Sequence, residues 1–332
     1  MKVRRLGNSG LKVSVVGLGC NNFGMRIDAD QTQAVVDAAI DAGITLFDTA
    51  DVYGATKSEE FLGKALGKRR HEIVLATKFG MQVGQDPKKR GGSRKWIMQA
   101  VEDSLRRLGT DYIDLYQHHS PDPDTPVDET LRALDDLVSQ GKVRYLGNSN
   151  YSGWQIADAD WTAAGQSRFV SAQNLYSLLE RDVEREVLPA CEHFGLGFLP
   201  FFPLASGLLS GKYDLDTTFA ADDHRTYNRD GSAFDVGETF SGVDYATGVE
   251  AAREFAGLVE SSGLSGVTPA QAAIAWAWQQ PGVTTVIPGA RNVSQAEANA
   301  AAGLVGALPD SFLAGVADLY DRRIRAQVHG RW

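Results

Sequence analysis

Apolar positions along this 332-residue chain recur with two alternating periods. Short runs of strand formers predict strands near 15–19, 44–47, 73–77, 112–116, 143–146, 169–172, 196–200 and 283–287. Helical spacing predicts helices over 30–42, 58–66, 93–108, 127–140, 152–164, 182–194 and 269–280. Ahead of them, 3–6 and 11–15 flank Gly7-Asn8-Ser9-Gly10, the pattern of a hairpin. Eight strands in regular alternation with helices imply a parallel sheet, and that number suits closure into a (β/α)8 TIM barrel. Residues 1–332 therefore read as a single domain with an N-terminal β-hairpin. Stretches 245–261 and 310–325 fall outside the repeat and read as two extra helices. Segment 205–248 is long, polar and glycine-bearing, and after a barrel strand a loop of that length is either disordered or functional, as a lid would be.

Composition narrows the class. Hydrophobic residues make up 43%, ample for a large core, and the net charge is −9 with the basic residues dispersed. That excludes an electrostatic nucleic-acid footprint. Lys68-Arg69-Arg70 and Lys88-Lys89-Arg90 read as solvated loops. Cys20 and Cys191 stand far apart in no metal-ligand spacing, which predicts reduced, buried thiols. The opening residues lack the apolar core of a secretion signal, and no run is long enough to span a bilayer, so the expected location is cytoplasmic.

Barrel sites lie at the carboxyl ends of strands, so the strand tips carry the chemistry. Strands two, three and four end in Asp48, Lys78 and His119, with Tyr53 in the loop after strand two. A strand-tip carboxylate is costly unless paired, and Lys78 is the natural partner. Strand five ends in Gly147-Asn148-Ser149-Asn150 and strand six at Gln173, groups suited to a carboxamide. Strand seven ends in Phe201-Phe202-Pro203-Leu204, a surface for a flat ring. Strand eight runs into Gly289 and Arg291 before a helix, the makings of a phosphate site. A nicotinamide dinucleotide matches all of these features. Gly17-Leu18-Gly19 begins a dinucleotide fingerprint, but Asn22 replaces the third glycine and the Rossmann reading is set aside. His118 alternates to the face opposite His119 and reads as structural.

The four ionisable residues suit reduction of a carbonyl. Tyr53 is the proton donor, Lys78 lowers its pKa, Asp48 holds Lys78 charged, and His119 fixes the carbonyl oxygen. No metal is required. A Schiff-base lyase using Lys78 is a rival, although Asp48 would keep that lysine protonated.

The motifs Phe47-Asp48-Thr49-Ala50-Asp51-Val52-Tyr53-Gly54, Ala76-Thr77-Lys78, Tyr112 to His119, Gly147 to Asn150, Pro203 to Lys212 and Val286 to Arg291 occur in an order that resembles the aldo-keto reductase superfamily over essentially the full chain. The resemblance implies the same barrel and NAD(P)H-dependent reduction of aldehydes or ketones by the tetrad Asp48, Tyr53, Lys78 and His119. It also implies that Ser149, Asn150 and Gln173 hold the carboxamide and that Phe201 stacks on the ring. Leu204, Ser206, Gly207 and Lys212 would contact the pyrophosphate, and Arg291, Gln295 and Asn299 the adenosine phosphate. Some branches place a lysine where Gly289 sits, an arginine at Gln295 and a glutamate at Ala298; Arg291 can replace the lost cation. NADP(H) is therefore the expected cofactor, with NAD(H) use possible. Asn21, where other branches carry a large aromatic, implies a more polar substrate pocket beside Tyr53 and His119. Some members resemble redox-sensing or regulatory subunits that bind NADPH and turn over slowly, a second functional expectation. The oligomeric state is not legible.

Overall fold

The computed structural model describes residues 1–331. In chain order it runs β1 (Val3–Arg5), β2 (Lys12–Ser14), β3 (Leu18–Gly19), α1 (Ala29–Asp41), β4 (Leu46–Asp48), α2 (Lys57–Leu66), β5 (Val74–Phe79), α3 (Arg94–Leu108), β6 (Ile113–His118), α4 (Val127–Ser139), β7 (Val143–Ser149), α5 (Gly153–Thr162), β8 (Phe169–Gln173), α6 (Val187–Phe194) and β9 (Gly197–Phe198). The chain continues through α7 (His224–Tyr227), α8 (Tyr245–Ser261), α9 (Pro269–Gln279), α10 (Val293–Ala302), α11 (Asp310–Leu319) and α12 (Arg325–Val328).

Strands β3 to β9 form one parallel sheet in sequential order. The expected eighth strand closes the ring through single bridges, not a regular ladder. Val286 bridges Val16 and Gly289 bridges Gly19 on one side, while Val283 bridges Phe198 on the other. Gly17 N donates to Val286 O at 2.8 Å and Ile287 N to Pro200 O at 3.1 Å, so the (β/α)8 circuit is complete.

The hairpin β1–β2 plugs the amino end of the barrel. Leu6 and Val13 are fully buried and pack with Leu46, Val74, Leu115, Leu199 and Ile287, the apolar residues of the barrel interior. A larger core lies outside, between the strands and the helices. Burial from both sides explains why the strands read as continuous apolar runs. Helix starts are locally encoded: Asp28 with Gln31, Ser152 with Gln155, and Thr268 with Gln271 all form capping boxes.

The helix expected over 182–194 begins only at Val187, after a separate turn at Asp182–Glu184. Pro189 is the reason: a helix from Asp182 would place its missing N–H and its ring in the interior, whereas a start at Val187 puts it in the tolerant first turn. The extra helices α8 and α11 are present and pack together, with Phe255 and Phe312 at 5.9 Å and Gly315 allowing Leu258 close approach. Arg70 departs from the solvated reading: it pairs with Asp114 at 2.7 Å and lies over Tyr112. Lys88-Lys89-Arg90 is exposed as expected. Both cysteines are buried free thiols. Segment 205–248 folds into short turns around Ala205–Ser210, α7, Val236–Glu238 and Phe240–Gly242, and packs over the carboxyl end of the barrel.

Candidate functional site at the carboxyl end of the barrel

Asp48, Lys78 and His119 arrive on neighbouring strands because β4, β5 and β6 pair in parallel, with Asp48 beside Ala76 and Lys78 beside Gln117. Lys78 is wholly buried and Asp48 is 2% exposed. The Lys78 ammonium donates to Asp48 Oδ2 at 2.5 Å, to the Thr49 carbonyl at 2.9 Å and to the Tyr53 hydroxyl at 3.3 Å. Three donors thus meet three acceptors. Burial by itself pulls Lys78 down, but Asp48 and Tyr53 more than compensate and hold it above the ordinary lysine value.

Tyr53 is placed by a sharp turn. Gly54, Ala55 and Thr56 all have left-handed backbone, and a Cβ on Gly54 would fall 2.6 Å from Phe23 O, so only glycine permits the approach. The Tyr53 ring meets His119 edge to face at 5.7 Å. One expectation is corrected here: the phenol lies above its ordinary value. Burial raises it more than the Lys78 charge lowers it, and Asp48 adds to the rise.

His119 is 5% exposed, and its Nδ1 has no hydrogen-bond partner. Burial, then Lys78 and His118, depress its pKa well below the usual histidine value, so the ring is neutral. A bare lone pair on Nδ1 costs less than an orphaned N–H, which places the proton on Nε2. His118 faces outward, stacked on Phe79 and bonded to the Tyr151 hydroxyl at 2.9 Å, as strand alternation requires.

A cavity of about 580 Å³ opens beside this group. It is lined by Asn21, Asp48, Tyr53, His119, Ser149, Asn150, Gln173, Phe201, Phe202, Pro203, Leu204, Ser206, Gly207, Lys212, Gly289, Arg291, Gln295 and Asn299, the residues singled out in the sequence apart from the fully buried Lys78. Several of their polar atoms already brace the wall. Ser149 Oγ donates to Gln173 O at 2.8 Å, Asn150 Nδ2 to His119 O at 3.0 Å, and Gln173 Nε2 to Asp48 Oδ1 at 2.9 Å. The Ser206 hydroxyl is occupied by the Glu238 carbonyl at 2.8 Å and the Phe240 N–H at 3.2 Å, so it faces the overlying segment. Gln295 Oε1 accepts from Arg291 N at 2.8 Å, and Asn299 Nδ2 donates to Gly289 O at 3.1 Å. Gly289 leaves room for Asn22, whose Oδ1 accepts from Arg291 Nε at 3.2 Å.

Sequence reasoning missed Gln117, which gives Asp48 Oδ1 a second donor at 2.8 Å. Its signal was available: two residues before His119 on one strand, it must point the same way. It also missed Arg225, Phe234 and Glu238, which line the cavity from the 205–248 segment. No periodicity marks such loop residues. Arg225 is held by Asp223 at 2.6 Å, and Arg26 reaches the same carboxylate at 3.3 Å. Lys212, Arg225 and Arg291 lie near enough that Arg225 and Arg291 add to the burial that lowers Lys212. Cations gathered in this way favour an anion between them.

A profile of the Aldo/keto reductase family matches residues 15–321. The chain belongs to this family. This aldo/keto reductase is 38% identical over 309 residues to a probable voltage-gated potassium channel subunit beta of Oryza sativa subsp. japonica, with 89% of each chain covered. It is 35% identical over 309 residues to versiconal hemiacetal acetate reductase of Aspergillus parasiticus, covering 85% of this chain and 86% of the other. An uncharacterized oxidoreductase of Bacillus subtilis (strain 168) is 44% identical over 227 residues, 64% of this chain and 69% of its own. The family and these relatives make the aldo/keto reductase an oxidoreductase by lineage. None of the helices among the described residues is long and apolar enough to cross a membrane, and no group of metal-ligating residues occurs among them.

Proposed function

We propose that this aldo/keto reductase is an NADP(H)-dependent enzyme that reduces aldehydes or ketones to alcohols in the cytoplasm. The observation that carries the reading is the Tyr53 hydroxyl, facing the cavity 3.3 Å from a lysine whose charge is fixed by Asp48. The fit of the cofactor rests on two features of the cavity lining: the aromatic residues Phe201 and Phe202, and the gathered cations Lys212, Arg225 and Arg291. A bound nicotinamide would supply the hydride. Tyr53 supplies the proton to the carbonyl oxygen, and its raised pKa keeps that proton available at neutral pH. Neutral His119 donates from Nε2 to the same oxygen and sets its angle. Lys78 stabilises the developing phenolate, and Asp48, held by Gln117 and Gln173, keeps Lys78 in place. Segment 205–248 acts as a lid over the cofactor, with Arg225 and Lys212 on the phosphates. Arg291 favours the 2′-phosphate, so NADPH is preferred over NADH.

The Schiff-base alternative finds no support, because every Lys78 proton already has an acceptor. A second reading is favoured by the likeness to two proteins named probable voltage-gated potassium channel subunit beta, from Oryza sativa subsp. japonica and Arabidopsis thaliana. In that reading the chain is a regulatory subunit that binds NADPH and turns over slowly. Steady-state NADPH oxidation with a panel of aldehydes separates the two. The reductase reading expects turnover that falls at least ~100-fold in Tyr53→Phe; wild type as inert as the variant would remove it.

A further inference from the structure

The cavity holds a carboxylate that the proposed hydride transfer does not use. Glu238 ends the short turn Val236–Glu238 and lines the cavity with Tyr53, His119 and Asn21. Its charge reaches Tyr53, where it adds to the rise of the phenol. The turn is clamped from several sides. Asp235 Oδ1 accepts from Gly237 N at 2.7 Å, and Ser206 Oγ donates to the Glu238 carbonyl at 2.8 Å. A Cβ on Gly237 would sit 3.1 Å from Leu175 Cδ2 and 3.2 Å from Glu180 Oε2, so the backbone is pressed against the barrel rim. The Glu238 side chain is therefore presented by a rigid support.

The carboxyl group itself makes no hydrogen bond or ion pair with any described residue. Burial, then Asp235, lifts it to about 7. A partly buried carboxylate without a donor is an unfavourable arrangement, and a site that keeps one gains when a ligand brings the donor. The cavity that it lines also holds Phe202, Phe234 and Met81, with an amide at Asn21. A neutral amide and a carboxylate lining one cavity suit hydroxyl groups, which both donate and accept.

We infer that Glu238 is a specificity-determining residue: it accepts a hydrogen bond from a hydroxyl carried by the substrate near its carbonyl, making hydroxylated aldehydes and ketones the favoured class. The inference rests on the reductase reading and names its substrate chemistry. A site built to bond a hydroxyl discriminates against the analogue that lacks it, because its own polar group is then left without a partner.

The test compares kcat and KM for propanal, glyceraldehyde and betaine aldehyde with wild type, Glu238→Gln and Glu238→Leu, using NADPH. Wild type is expected to favour glyceraldehyde over propanal by ~10-fold or more in kcat/KM. Glu238→Leu should bring that ratio close to one, mainly through KM, while Glu238→Gln retains part of it. Fluorescence quenching of NADPH checks that each variant still folds over the cofactor. A ratio unchanged in both variants, or an equal loss for all three aldehydes, overturns the role of Glu238. Betaine aldehyde losing most would also overturn it, showing a reader of cations. Wild-type turnover of propanal alone keeps the reductase reading intact while Glu238 fails; no turnover with any of the three overturns both.

Discussion

Lys78 and Asp48 form an ion pair of 2.5 Å with almost no solvent contact on either side chain. Neither partner is redundant, because the carboxylate's other oxygen is already saturated by Gln117 and Gln173. Removing one charge leaves the other buried and alone. Asp48→Asn is expected to destabilise the fold by about 3–5 kcal/mol, read from urea denaturation. A loss under 1 kcal/mol would mean that water reaches Lys78.

The pH dependence follows from the two neighbours of that pair. Neutral His119, depressed far below its ordinary value, contributes no titration as pH falls through 6.5. Glu238, lifted to about 7, titrates in this range and its charge reaches Tyr53, so carbonyl reduction should stay flat between pH 6 and 8 in Glu238→Gln, measured with a substrate lacking hydroxyls. If Tyr53 is the proton donor, it must lose its proton first in the reverse direction, and its pKa is raised. Alcohol oxidation should climb steadily with pH up to the limit of stability. A histidine-like inflection near 6.5 in the reduction profile would contradict the neutral ring.

Arg291 leads into α10 and is held by Asn22 and by Gln295 through its backbone. If it reads the 2′-phosphate, Arg291→Ala should raise the Kd for NADPH ~10-fold or more and shift that for NADH little. Equal weakening of both, measured by fluorescence titration, would remove the assignment.

Asp51, two residues before Tyr53, is 1% exposed and neither carboxyl oxygen has a hydrogen-bond partner. Burial, then Glu59, raises its pKa well above the carboxylate range, whereas Arg107 pulls it back. The folded state thus holds a proton that the unfolded state releases above pH ~4, and stability is lost as pH rises through that window. Asp51→Asn removes the penalty. Its Tm should exceed that of wild type by more at pH 8 than at pH 4; the opposite trend would show that the carboxylate is ionised and paired.

The convergence of Asp48, Tyr53, Lys78 and His119 was legible because strand ends deliver side chains at fixed, local positions. Asp48, Lys78 and His119 each close an apolar run, and parallel pairing of adjacent strands leaves them no choice but to converge. Tyr53 was legible for a similar reason, since Gly54 marks the turn that places it. The break before Val187 was readable in principle from Pro189, whose constraint is local. The direction of the Tyr53 shift was not. It depends on how completely the barrel and the overlying 205–248 segment exclude water from one hydroxyl, and on the charge of Asp48, a property of many distant residues together.

The hydrophobic periodicity of the chain by itself determined the barrel, because alternating βα units with buried strands have few other ways to cover their apolar faces. It also determined which strand-tip side chains converge at the carboxyl end. Only the tertiary structure decided what lies over the mouth. Arg225, Phe234 and Glu238 come from a segment with no period, and its path is set by contacts such as Ser206 with Glu238 and Arg26 with Asp223. Those pairs are separated by tens to hundreds of residues, and nothing in the local sequence encodes which of them will meet.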